Sequence, residues 1–143
     1  MKKKPLTLLG FDYGTRRIGI ALGQTLTQHA RPLTTLESKN TKPDWENISK
    51  IIHEWQPQKI VVGLPLHMDG TEQDITQKAR RFGNQLKGRY NLPVEFADER
   101  LTSHEAEDLI RQSDKSLTQH DKKHIDAVAA QLILQSWMSQ GEQ

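Results

Sequence analysis

Apolar residues follow two patterns along the chain, one typical of strands and one typical of helices. The order of these patterns limits the folds that the chain can adopt. Three segments near the start have the short, apolar pattern of strands: residues 6–13, 17–23 and 31–36. Apolar residues then recur at helical spacing in PDWENISKIIHEW and again over residues 72–87. Each of these helical segments precedes an apolar strand, at 59–64 and at 93–97. The chain thus begins with strands alone and continues with helices and strands in alternation.

This alternation predicts an α/β fold with a mixed sheet. Strands joined by a crossover helix pair in parallel, whereas strands joined by a short turn pair antiparallel. Two more helices are predicted, one opened by the capping box of Thr102 and Glu105 and the last over 122–138. We therefore expect a five-stranded sheet flanked by helices, with the main elements in the order βββαβαβα. In this prediction residues 1–143 form a single domain, with frayed ends at 1–4 and 139–143.

The composition excludes several classes of protein and of site. The 143 residues include no cysteine, which rules out disulfides, thiolate catalysis and cysteine-ligated zinc. No apolar segment reaches the roughly 18 residues of a membrane span. Asp12 interrupts the N-terminal apolar stretch that would otherwise suggest a signal peptide. We therefore expect a cytoplasmic protein with no membrane association. The net charge of +2 is compatible with nucleic acid as a partner but does not require it.

Three acidic residues occupy positions that disfavour a carboxylate. Asp12 lies within the first strand, where aspartate is depleted. Glu99 lies with Asp98 just beyond the last strand, and alternation alone does not say which of the two faces inward. Asp126 falls about 100° around the last helix from Ile125, inside its apolar arc. Since an isolated buried carboxylate costs several kcal/mol, three of them in one small domain indicate shared cations.

Chain order allows these acids to meet. Asp12 is near the end of the first strand and Glu99 follows the last, while a terminal helix packed across the sheet can bring Asp126 to the same edge. Carboxylate ligands without cysteine suit Mg²⁺ or Mn²⁺. Two such ions form the usual clamp for phosphodiester hydrolysis, because one activates a water and the other stabilises the leaving oxygen. We therefore predict one or two of these ions at the acids.

Basic residues beside the acids favour a ligand that contains phosphate. Two arginines follow the first acid, another follows the second, and two lysines precede the third: Arg16, Arg17, Arg100, Lys122 and Lys123. A pocket that only held a metal would gain nothing from adjacent cations, whereas a phosphate backbone would bind them. We predict that these five residues contact nucleic acid.

Four blocks of the sequence together resemble the YqgF family. They are D-x-G-x-x-R-I-G-x-A at residues 12–21, VVGLPLHMDGTE at 61–72, DERLTS at 98–103 with Ala106, and IDAVAAQLIL at 125–134. The blocks occur in the family's order and cover nearly the whole chain. Proteins of this family are similar to the Holliday junction resolvase RuvC and have an RNase H-like fold.

The resemblance implies a bacterial cytoplasmic nuclease. The family is associated with maturation of the 5′ end of pre-16S rRNA and was earlier assigned to the resolution of Holliday junctions. Its acidic residues match Asp12, Glu99 and Asp126, which are thereby implied as catalytic and metal-binding, and the match selects Glu99 over Asp98. The implied partners are pre-rRNA or branched DNA, with ribosomal particles as a further candidate, for a monomer or a homodimer.

Three other interpretations stay open on the residues alone. The D-x-G-T beginning at Asp12 also opens the phosphate loop of actin-like ATPases and sugar kinases, but those proteins use two domains. A nucleic-acid-binding or ribosome-binding module with structural acids would keep the basic residues and need no metal. His120 and His124 are four residues apart and could bind zinc on one helix face, although no third ligand is evident.

Overall fold

The first part of the chain forms antiparallel strands because short connections join them. The computed structural model describes residues 4–99 and 119–140. In it β1 is Thr7–Tyr13, β2 is Arg17–Gln24 and β3 is His29–Glu37. β2 pairs antiparallel with both β1 and β3. The three strands predicted at the start of the chain are confirmed.

Helices and strands then alternate, as the change of hydrophobic period predicts. The next elements are α1 (Trp45–Trp55), β4 (Lys59–Leu64), α2 (Asp74–Tyr90) and β5 (Val94–Asp98). β4 pairs parallel with β1, and β5 pairs parallel with β4. The sheet therefore has the order β3-β2-β1-β4-β5, and the predicted mixed five-stranded sheet is confirmed. The helix predicted to open at Thr102 lies outside the described residues.

Local residues set the ends of the first two helices. The side chain of Asp44 caps α1 by accepting a hydrogen bond of 3.2 Å from the backbone N–H of Asn47. Gln56 and Asn91 follow α1 and α2 in the left-handed conformation, with φ of 45° and 53°. Each donates its backbone N–H to the last turn of its helix, which stops both helices just before the strands that follow.

The last described helix, α3 (Gln119–Ser139), lies across the sheet against β1, β2 and β3. It begins three residues before the predicted helix and ends one residue after it, so residue 139 is helical. Of the other predicted frayed residues, 1–3 and 141–143 lie outside the described residues, Lys4 precedes the first strand and Gln140 follows the last helix. The frayed ends stay a prediction. Of the helices that the structure describes, none has both the length and the apolar character needed to cross a bilayer.

Alternation along the strands gives the sheet two different faces. The aromatic face carries α1 and α2 and buries large side chains, among them Phe11, Ile20, Ile48, Val62 and Phe82. The α3 face is covered by the last helix and buries aliphatic side chains, among them Ala21, Val61, Ala130, Ile133 and Leu134. Consecutive residues of one strand contribute to opposite faces, which fixes the side of the sheet on which each polar residue lies.

Candidate active site

Strand alternation places Asp12 on the α3 face. In β1, Leu9 and Phe11 pack in the core of the aromatic face, so Gly10 and Asp12 face α3. A Cβ built on Gly10 would lie 3.0 Å from the Cβ of Leu134, which confirms how closely the helix approaches there. Asp12 as a residue keeps some contact with solvent, but its carboxyl group is buried. The predicted strand acid is therefore a buried acid between sheet and helix.

The same alternation selects Glu99 over Asp98. Phe96 packs against the aromatic face and Ala97 against the α3 face, so Asp98 points away from α3 and Glu99 points toward it. A Cβ built on Gly63 would lie 2.6 Å from Oε1 of Glu99, so this side chain lies over the β4 backbone. The choice that the family resemblance implied thus has a structural basis.

Asp12 and Glu99 form a hydrogen-bonded pair of carboxyl groups. Burial is the largest cause that raises the pKa of Asp12 well above its ordinary value, and the charge and hydrogen bond of Glu99 raise it further. Burial also raises the pKa of Glu99, although the hydrogen bond from Asp12 opposes that change and the charge of Asp98 adds to it. Both carboxyl groups therefore have a raised pKa, and the folded chain favours protonation of the pair.

Asp126 lies close to this pair but makes its direct contact elsewhere. Its negative charge contributes to the raised pKa of Asp12. Its Oδ2 accepts a hydrogen bond from Nε of Arg17 at 2.6 Å, and the two side chains are 26% and 27% exposed. The helical arc predicted a buried Asp126; the side chain reaches the edge of the apolar face, where Arg17 supplies the compensating cation. Sequence reasoning assigned Arg17 to phosphate and did not find this partner.

Asp12, Glu99 and Asp126 lie near one another between the sheet and α3, and we call this group the acidic corner. The three acids do not form a complete set of metal ligands. Within residues 4–99 and 119–140, no three histidine, aspartate or glutamate side chains are arranged to hold one metal ion. Two of the predicted ligands are in contact, and the third is turned to Arg17. The donors are all carboxylate oxygens, which fits a hard divalent cation such as Mg²⁺ or Mn²⁺. One oxygen of the third, Oδ2 of Asp126, is held by Arg17.

Two glycines allow this corner to close. A Cβ on Gly19 would overlap the main-chain carbonyl of Asp126, so β2 and α3 meet through backbone atoms at that point. A Cβ on Gly63 would overlap Ile133 as well as Glu99. A glycine inside an otherwise apolar strand, as in KIVVGL, is a signal of close backbone approach that sequence reasoning could have used.

The predicted phosphate-binding residues lie on the β2 and β3 side of the acids. Arg16 and Arg17 line a polar cavity of about 430 Å³, together with Thr15, Glu37, Ser38, Asn40 and Thr41. Nζ of Lys123 lies 3.1 Å from Oε1 of Glu37, which brings a third cation to the same region. Arg100 and the side chains of Lys122 and His120 lie outside the described residues. Their predicted contacts, including the zinc alternative, therefore stay predictions.

The sequence is similar to a known family over most of its length. The family model described as "RuvX: Holliday junction resolvase" matches residues 6–140. A protein from Aeromonas salmonicida named "Putative pre-16S rRNA nuclease" is 51% identical over 136 residues, covering 94% of this chain and 95% of that one. A protein of the same name from Haemophilus ducreyi is 53% identical over 133 residues, covering 92% and 94%.

The fold is similar to solved structures of resolvases at low sequence identity. The Fowlpox virus resolvase in complex with Holliday junction DNA has a TM-score of 0.58 and 13% identity, covering 96% of this chain and 99% of that one. The RuvC protein of T. thermophilus in complex with a Holliday junction has a TM-score of 0.51 and 14% identity, covering 94% and 96%. These similarities confirm the predicted RNase H-like fold.

Proposed function

We propose, from the premise that this chain belongs to the RuvX family, that it is a metal-dependent nuclease of structured nucleic acid. The 5′ end of pre-16S rRNA is the substrate that we infer, because relatives at about half identity carry that activity in their names. The observation that supports catalysis is the contact of Asp12 with Glu99, with Asp126 beside them. With this substrate the enzyme would act in the cytoplasm, on free pre-rRNA or on ribosomal particles.

Asp12, Glu99 and Asp126 are the residues that would hold one or two Mg²⁺ or Mn²⁺ ions. When bound, such ions activate a water molecule and stabilise the oxygen that leaves in phosphodiester hydrolysis. Ligand carboxylates must be ionised, so the raised pKa values of Asp12 and Glu99 mean that any proton held by the pair has to leave when a cation enters. Burial of the pair between sheet and helix restricts bulk water, which strengthens the attraction between the acids and a cation.

Arg16 and Arg17 are the residues that would bind the phosphodiester backbone. They line one polar cavity at the edge of the acidic corner, and guanidinium groups bind phosphate oxygens through paired hydrogen bonds. Lys123 would extend this basic edge along α3. Such contacts hold the backbone in register over the acids and carry no preference for base sequence. Specificity for an rRNA end would then come from the shape of the RNA.

Cleavage of a labelled pre-16S rRNA fragment by the purified chain tests this proposal. We expect release of the mature 5′ end with Mg²⁺ or Mn²⁺ and no turnover in EDTA. Asp12→Asn and Glu99→Gln should each lower the rate by about 10²–10⁴-fold, because each removes a charge that the chemistry needs. The matched control is Asp74→Asn, the same chemical change at an exposed residue of α2, which should cleave at the wild-type rate.

Two outcomes would overturn the proposal. Equal cleavage by wild type and Asp12→Asn would indicate a contaminating nuclease or a non-catalytic RNA-binding module. Rapid cleavage in the presence of EDTA would contradict the assignment of the acids to a metal ion.

A four-way DNA junction is the second candidate substrate. The matching family is described as a Holliday junction resolvase, and two proteins of similar fold were solved with junction DNA. A junction has two strands to cut and so favours a homodimer, whereas one rRNA end requires only a monomer. Rates on pre-rRNA and on a synthetic junction, measured side by side with sedimentation of the free protein, separate the two candidates.

A further inference from the structure

Arg17 and Asp126 form a hydrogen-bonded ion pair with each other. Nε of Arg17 donates to Oδ2 of Asp126 at 2.6 Å, which is short for a charge-assisted hydrogen bond. About three quarters of each side chain is shielded from solvent, so water screens this ion pair less than a surface pair. The guanidinium therefore occupies one of the two oxygens of a carboxylate that the proposed function assigns to a metal ion. The carboxylate in turn occupies a donor that the proposed function assigns to phosphate.

The backbones on both sides of this ion pair have little freedom to move. Gly19 lies against the main-chain carbonyl of Asp126, and no Cβ would fit between them. Arg17 is the first residue of β2, and its register partner in β3 is Glu37. A change at this position must therefore come from rotation of the two side chains. Each of the two side chains is about a quarter exposed to solvent.

We propose that Arg17 is a positioning residue that holds Asp126 until a divalent cation takes its place, and that the released guanidinium then binds the substrate phosphate. This inference rests on the proposed assignment of Asp126 as a metal ligand. It explains why Asp126 lies beside the pair of Asp12 and Glu99 but is turned to Arg17 instead. No covalent bond of the protein is made or broken in this exchange, since the divalent cation would replace the hydrogen-bonded guanidinium on the same carboxylate.

The exchange couples the binding of metal to the binding of phosphate. A cation favours the state in which Arg17 is free, and a phosphate favours that same state, so each must strengthen the binding of the other. Typical coupling between two ligands amounts to about 5–150-fold in affinity. Because this ion pair is partly exposed, we expect a value at the low end of that range. A substrate would then bind poorly to the metal-free protein.

Calorimetric titration of the full chain with Mn²⁺ is the first test. Arg17→Gln should bind Mn²⁺ about 5–10-fold more tightly than wild type, because the competitor for Asp126 is gone. Arg16→Gln removes the same charge from an exposed neighbour and should change the affinity less than about twofold. Arg17→Lys keeps the charge and should fall between wild type and Arg17→Gln. Weaker Mn²⁺ binding by Arg17→Gln would overturn the proposal, since Arg17 would then orient Asp126 for the metal.

A double-mutant cycle in EDTA tests the same exchange without metal or turnover. The readout is the affinity for a short labelled oligonucleotide, measured by fluorescence anisotropy. In the wild-type background, where Asp126 already holds the guanidinium, Arg17→Gln should lower the affinity for the oligonucleotide by less than about twofold. In the Asp126→Asn background, where Arg17 is free, the same substitution should lower this affinity by about 5–10-fold. An equal cost in both backgrounds would contradict the proposal.

The two tests also separate this inference from the proposed function. If the cycle shows the predicted coupling but neither RNA nor DNA is cleaved, the exchange stands and the nuclease assignment fails. If Mn²⁺-dependent cleavage is found but Arg17→Gln binds Mn²⁺ more weakly, the nuclease assignment stands and the exchange fails. Thermal unfolding of each variant identifies any loss of affinity that arises from loss of fold.

Discussion

The two faces of the sheet differ in what they bury. On the aromatic face the ring of Phe82 lies 5.6 Å from Phe11, 5.1 Å from Tyr13 and 5.6 Å from Trp45, measured between centroids. On the α3 face the same strand β1 presents Gly10 and Asp12. Aromatic contacts stabilise the folded state, whereas a buried pair of carboxyl groups destabilises it unless a proton or a cation compensates the charge. One strand thus stabilises the fold with one side and presents functional groups with the other.

The largest effect that this comparison predicts is on the aromatic face. Phe82→Ala should lower the free energy of unfolding by about 3–5 kcal/mol, because it removes the ring that three other aromatic residues contact. Urea unfolding measures the loss, and Asn84→Ala, at an exposed position of the same helix, should stay within about 0.5 kcal/mol of wild type. A loss below about 1 kcal/mol would show that the aromatic face does not dominate stability.

The second effect concerns the contact between β2 and α3. Gly19→Ala should lower the free energy of unfolding by about 2–3 kcal/mol, because the new methyl group meets the backbone of Asp126 and not a flexible side chain. Molecules that remain folded should also lose cleavage, because α3 is displaced from the acids. The control is Gly88→Ala in α2, where a Cβ meets no atom within 4 Å and should stabilise the helix by about 0.5–1 kcal/mol. If Gly19→Ala unfolds like wild type, the close contact is wrong.

The third predicted effect is a gain in folding stability, and it concerns the acidic residues. The pKa of Asp12 is raised in the folded chain, so folding favours its protonated form, and this contribution to stability is lost as pH rises above the ordinary value of 3.8 toward the folded pKa. Asp12→Asn keeps a donor toward Glu99 without the ionisation. It should therefore be more stable than wild type in EDTA, by about 1–2 kcal/mol near neutral pH.

Thermal unfolding of wild type and Asp12→Asn between pH 4 and pH 8 checks this sign. The advantage of the variant should be small at pH 4 and should grow with pH in EDTA. Addition of Mn²⁺ should stabilise wild type more than the variant, because the metal binds the ionised carboxylates. A variant that is less stable than wild type across this range would indicate that Asp12 has a structural role and carries no burial cost.

The smallest predicted effect concerns a residue on the aromatic face. The guanidinium of Arg89 lies 4.0 Å from the centroid of the Trp45 ring, and Arg89 is exposed. Arg89→Gln should cost about 0.5–1 kcal/mol through loss of this cation–π contact and should leave the cleavage rate unchanged. Urea unfolding and a cleavage assay on the same preparation measure both. A fall in cleavage without a fall in stability would mean that the two faces are not separate in function.

The fold was predictable because its signals are local. Short apolar segments and the helical spacing of apolar residues identified all five strands and the three described helices to within three residues at every end. Alternation alone separates the two faces of β1. The acids Asp12 and Asp126 were also found from local patterns, since each interrupts an apolar segment. These predictions need no knowledge of how distant segments pack.

The details of the site depend on contacts that the sequence does not encode locally. Arg17 and Asp126 are 109 positions apart, and nothing in their spacing indicates that they pair. The choice between Asp98 and Glu99 falls at the end of β5, where strand phase is no longer certain from sequence. The raised pKa values of Asp12 and Glu99 follow from their burial and from the charges that folding brings near them. The extent of the domain over residues 1–143 and the oligomeric state stay predictions.

The most direct test of the central claim is the position of manganese in crystals of the full chain soaked with Mn²⁺, located by anomalous diffraction. The claim is that the acids of the α3 face form one cation site. It predicts an anomalous peak bonded to carboxylate oxygens of Asp12 and Glu99, with Asp126 rotated toward the ion and away from Arg17. A saturating soak that leaves this corner without manganese, or that places the ion away from all three acids, would contradict the account.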